Sequence, residues 1–117
     1  MEDSLITFET AKLAKEKGFN EIVSTAYGRS QESLYESNCT NRNSENIFLS
    51  APAQSLLQKW LREVHNIIVE PIYNQNYNYF DLIICNISIH LSYHTKAYST
   101  YEIALETGLQ KALKLIK

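Results

Sequence analysis

The sequence predicts an α+β fold, an antiparallel sheet of three to four strands with helices packed on one face, in the order α-β-α-β-β-(β)-α. Two segments, around Trp60 and around Leu109, place apolar residues at three- and four-residue spacing. That is the period of a helix with one buried stripe. From Cys85 to Tyr93 apolar and polar residues alternate instead, the period of a strand with one wet face. The 117 residues suffice for one core without metal or disulfide staples, so a single domain over 1–117 is expected.

The first helix spans Thr7 to Lys17. The Thr7 hydroxyl can accept from an orphan N–H as N-cap, and Gly18 suits the left-handed position that ends many helices, with Phe19 packing back on the last turn. Glu21 to Tyr27 reads as a short strand. Between Gly28 and Asn46 the chain is rich in Ser, Asn and Glu, side chains that compete with the backbone for hydrogen bonds. A long surface loop over 28–46 is expected, with at most a brief strand near Leu34.

Ser50-Ala51-Pro52 predicts the opening of the second helix, with proline in the first turn where its missing N–H costs nothing. Ala53, Leu56, Leu57, Trp60, Leu61 and Val64 form its stripe, and His65 and Asn66 end it. Ile67 to Tyr73 is a strand, and Pro71 inside it requires an edge position or a bulge. Asn74 to Asn78 is a turn. Tyr79 to Tyr93 is β-like throughout but too long for one strand, so it should break near Cys85-Asn86. In its second half Cys85, Ile87, Ile89, Leu91 and Tyr93 share the apolar face. Ser99 to Glu102 opens the last helix as a capping box, with Leu105, Leu109, Ala112, Leu113 and Ile116 as its stripe. Gly108 inside that helix implies close packing there.

Composition excludes several activities. The three glycines, Gly18, Gly28 and Gly108, cannot assemble a phosphate-binding loop or a dinucleotide fingerprint. No G-x-S-x-G turn is present. Cys39 and Cys85 lie 46 positions apart without a C-x-x-C, so no zinc ribbon or thioredoxin-like motif exists. A net charge of −2 argues against a generally basic nucleic-acid binder. The start Met-Glu-Asp-Ser lacks the features of a signal peptide, and no apolar run is long enough to span a membrane. A cytoplasmic protein with two free thiols is the expectation.

Three segments together resemble one family. They are Ile6 to Phe19, Ala51 to Ile67 with its specific run Gln54 to Asn66, and Ser99 to Leu113. In order and spacing they are similar to a family of small uncharacterised proteins encoded by phages and prophages of gut Bacteroidetes. The resemblance implies a phage accessory protein acting in the host cytoplasm. It carries over no activity and no catalytic residues.

The candidate chemistry is weighed residue by residue. His90 and His94 invite a metal reading, but four residues of strand span roughly 13 Å, too far for two ligands at about 2 Å from one zinc. Glu102 with Glu106, and Glu63 with Glu70, offer carboxylate pairs, but Glu102 already has a capping role and the reading preferred over acid–base catalysis is solvated surface charge. Cys39 lies in the expected loop with no motif around it, and Cys85 is expected in the core. No catalytic residue, metal site or cofactor is assigned. The Asn38 and Asn86 glycosylation triplets have no consequence in a bacterial cytoplasm. The stretch with a recognition composition is Tyr73 to Phe80, which holds three of the eight tyrosines. Tyrosine supplies rigid contact area with a polar tip, and asparagine supplies adaptable hydrogen bonds. Tyr73, Asn76, Tyr77 and Tyr79 are the candidate binding residues, and the competing reading is a hairpin whose tyrosines simply cover the sheet. A non-enzymatic protein that binds a host protein is the favoured function. A small-molecule or nucleotide binder and a small enzyme without a recognisable motif are the alternatives. Nucleic acid is disfavoured, because stacking aromatics need a basic groove beside them.

Overall fold

The first helix ends as its sequence requires, at a glycine with φ +90°. In a computed structural model, which describes residues 4–21, 23–28, 31–40, 48–87 and 91–116, α1 is Phe8–Glu16. The Thr7 side chain accepts from Thr10 N–H at 3.3 Å, as an N-cap. At the other end Gly18 N–H reaches the Lys15 carbonyl at 3.1 Å and Phe19 N–H the Ala14 carbonyl at 2.9 Å. These two bonds form a Schellman motif, and they turn Phe19 back into the core, where it is buried.

The chain divides into two compact units, Met1–Ala53 and Gln54–Lys117. The first holds α1 and strands β1 (Val23–Gly28), β2 (Gln31–Thr40) and β3 (Phe48–Ser50). They form an antiparallel sheet in the order β2-β1-β3. Ile6, Ala11, Ala14, Phe19, Ala26, Leu49 and Ala51 are buried apolar residues of this unit. The Tyr27 hydroxyl donates to the Ile6 carbonyl at 2.9 Å, and its ring meets Phe8 edge to face at 5.6 Å.

The second unit holds α2 (Gln54–His65), β4 (Ile67–Asn74), β5 (Tyr79–Asn86), β6 (Leu91–Tyr98) and α3 (Tyr101–Leu115). Its sheet is an antiparallel meander, β4-β5-β6. Ile67, Val69 and Pro71 of β4 and Leu82 and Ile84 of β5 are buried, as are Leu57, Trp60 and Leu61 of α2 and Leu105, Leu109 and Leu113 of α3. Both helices pack on β4, and α3 packs on β5 as well. The opposite face of β4 and β5 carries Ile68, Glu70, Ile72, Ile83 and Cys85, none of them buried.

The α+β class holds, but several expectations are corrected. The structure has two separate sheets rather than one, and the element order gains strands before α2. The segment read as a loop over 28–46 contains a ten-residue strand, β2. Its polar composition misled because β2 lies at the sheet edge, where tertiary pairing overrides local propensity. Helix α2 begins at Gln54, not at Ser50. Ser50 ends β3, the Ala51 carbonyl accepts from Thr25 Oγ1 at 2.6 Å, and the Pro52 carbonyl accepts from Ile6 N–H at 3.0 Å. These bonds tie 51–52 to β1 and to the segment before α1, Ala53 bridges antiparallel to Leu5, and the helix begins only after them. Val64, expected in the stripe, is 55% exposed in the last turn.

The long β segment breaks after Asn86, as expected, but the alternating run beyond it is not one strand. Asn86 pairs with Ile67, the first residue of β4, and one further bond, from Ile87 N–H to the Asn66 carbonyl, ends the β4–β5 ladder. Ile87 therefore lies in the turn and is exposed, and Ile89 lies outside the described residues. The side chains of Leu91 and Tyr93 also lie outside the described residues. Leu82 and Ile84 point into the core, and Cys85, expected there, is half-buried on the opposite face. Strand parity decides this, because a slip of one residue moves every side chain to the other face. The last helix is capped by Thr100, whose side chain accepts from Ile103 N–H at 3.1 Å, rather than by a Ser99–Glu102 box.

Pro71 sits at an edge, as its chemistry demands. The Asn66 carbonyl accepts from Ile87 N–H at 2.9 Å, so even-numbered residues here direct their backbone groups toward β5 and odd-numbered residues direct theirs outward. The missing N–H of Pro71 thus falls on the free side of β4. Two residues earlier Gln58 Nε2 donates to the Val69 carbonyl. A proline and a side-chain cap together blunt this edge against further strand pairing.

Candidate functional site

The β4–β5 hairpin closes at the pair Asn74 and Tyr79, leaving a four-residue connection, 75–78. Its asparagines build that connection. The Asn74 side chain accepts from Asn76 N–H at 3.0 Å, a side-chain mimic of a backbone turn. The Asn74 carbonyl accepts from Asn78 N–H, also at 3.0 Å. Asn78 has φ +56°, in the left-handed region that asparagine tolerates better than most side chains. The Tyr73 hydroxyl donates to Asn78 Oδ1 at 3.0 Å and ties strand to turn.

All four predicted binding residues stand on this one element. Tyr77, at the turn, is 71% exposed and Tyr73 50% exposed; Asn76 is exposed, and Tyr79 is half-buried. Tyr77 and Tyr79 meet near edge-on at 5.7 Å between centroids. Tyr73 contacts Phe80 at 5.3 Å, and Phe80 contacts Tyr101 edge to face at 6.0 Å. The hairpin is thus joined through aromatic rings to the first residue of α3. Sequence reasoning missed Phe80 and Tyr101 as supports, since no local pattern connects them. It also missed the structural part of Asn74 and Asn78, which the Asn-x-Asn-x-Asn spacing does signal.

The other candidates do not converge. Glu106 accepts from Gln54 Nε2 at 2.9 Å, and the same amide nitrogen donates to the Glu102 carbonyl at 3.1 Å. This pins α2 to α3 through a glutamine that is itself buried. Glu63 and Glu70 are both exposed. His90 lies outside the described residues, as do the side chains of His94 and Cys39. His65 stands apart from them, with its ring edge to face on Trp60 at 4.7 Å and its Nε2 buried without a hydrogen-bond partner. Burial pushes the His65 pKa below the usual value of 6.5. Among the described residues no group of three His, Cys, Asp or Glu side chains is placed to hold a metal ion. Among them too, no helix is long and apolar enough to cross a membrane.

No protein-family model matches the chain, and neither does any curated protein sequence or solved structure.

Proposed function

We propose that this chain is a non-enzymatic phage accessory protein that binds a host protein in the host cytoplasm, using the hairpin from Tyr73 to Tyr79 as its contact surface. The observation that carries the reading is the combination of exposure and constraint at Tyr77. Tyr77 is 71% exposed, yet it stands on a turn fixed by the bonds that Asn74 accepts from Asn76 N–H and Asn78 N–H and by the Tyr73–Asn78 bond, and its ring rests on Tyr79. A large side chain held in place before contact loses little conformational entropy on binding, which is how rigid aromatic anchors favour association. The turn 75–78 is Gln-Asn-Tyr-Asn and carries no charge, which favours a neutral protein surface over a phosphate-bearing ligand.

Affinity capture from a Bacteroidetes host lysate, with wild-type chain and Tyr77→Ala in parallel, tests the reading. A host protein enriched by the wild type and lost with Tyr77→Ala, at equal thermal stability of the two baits, is the expected result. Identical captured sets from the two baits would overturn it.

A further inference from the structure

We draw no further inference here: the strongest candidate, the uncovered apolar face of the β4–β5 hairpin formed by Ile68, Ile72, Ile83 and Cys85, carries nothing because nothing in the structure shows what covers it.

Discussion

A Cβ placed on Gly108 would stand 2.6 Å from Val69 Cγ1 and 2.7 Å from Leu82 Cδ1. Helix α3 lies against the sheet at this point with no room for a methyl group. Gly108→Ala removes the intrinsic helix penalty of glycine, about 1 kcal/mol. It adds an overpacking cost of roughly 1–3 kcal/mol. Val69 is β-branched and stiff about χ1, so it gives way poorly, and the cost should exceed the gain. We expect a lower urea midpoint for Gly108→Ala. The loss should shrink in a Leu82→Ala background, where space is available. A stabilised single variant would show that the sheet yields easily.

Trp60 is 4% exposed, among Leu57 and Leu61 on the buried side of α2. Trp60→Ala should cost on the order of 3–5 kcal/mol, read as a fall in denaturation midpoint with loss of the tryptophan signal. An unchanged midpoint, followed by far-ultraviolet circular dichroism, would contradict the packing.

Both residues were legible in the sequence for the same reason. Trp60 lay in a helical stripe and Gly108 in a helix interior, and local periodicity reports both. Thr7 and Gly18 were legible because caps follow from single residue types. What periodicity could not report was chain reversal. The alternation through Ile87 continues past the end of β5, because the turn is set by where β4 begins, 19 residues before it by the Ile67–Asn86 pairing. β2 was hidden for a different reason: it pairs with β1 as a hairpin that starts at Gly28 and Gln31, but its Ser, Glu and Asn residues carry no apolar alternation to report it. Of the candidate site, the loop and its exposed rings were legible, and the supports from Phe80 and Tyr101 were not.

Stability should fall as the medium is acidified through the histidine range, in part through His65. Its folded pKa lies below the unfolded value of 6.5, so the unfolded chain binds the proton more readily. The His65 contribution is therefore fully present above the unfolded value. It is lost as pH falls from there toward the lower folded one. His65→Phe keeps a ring against Trp60 and removes the titration. The difference in urea midpoint between wild type and His65→Phe should move toward the variant between pH 7.5 and pH 5, windows chosen to bracket the ordinary histidine pKa of about 6.5. A difference that stays constant with pH would show that His65 titrates alike in both states.

Gln54 is 3% exposed and uses one amide nitrogen on two acceptors. One acceptor is a carboxylate, and hydrogen bonds to charged groups contribute about 1.5–3 kcal/mol. Gln54→Ala should cost at least that much. Gln54→Glu should cost more at neutral pH, because it sets a second carboxylate beside Glu106 and loses the donor. Like charges raise the folded pKa of such a pair, so Gln54→Glu should recover stability as pH falls toward the carboxylate range. If Gln54→Glu proves as stable as wild type at pH 7, the Gln54–Glu106 bond is not a structural contact.

The hairpin yields the prediction that separates constraint from contact. Tyr73 and Tyr77 are both exposed, but their chemistry differs. The Tyr73 hydroxyl holds Asn78, while Tyr77 has its ring on Tyr79 and its hydroxyl in no described bond inside the hairpin. Tyr73→Phe keeps the ring on Phe80 and deletes only an exposed side-chain bond, so its stability cost should be about 0.5 kcal/mol, as for ordinary surface changes. Tyr77→Ala should cost about as little, since an edge-on contact between exposed rings sits at the low end of aromatic pair energies, about 0.5 kcal/mol. Binding should distinguish the two. With Tyr77 as the anchor, Tyr77→Ala removes contact area and should weaken capture of a host partner by tenfold or more, about 1.4 kcal/mol. Tyr73→Phe only loosens the turn that presents the anchor, and its effect should be smaller and confined to slower association or faster dissociation of the same partner. Measured by surface plasmon resonance with a captured protein, equal losses for the two variants would mean that turn rigidity carries the binding. No loss for Tyr77→Ala, with reduced stability, would make Tyr77 a packing residue and remove this hairpin as the recognition surface.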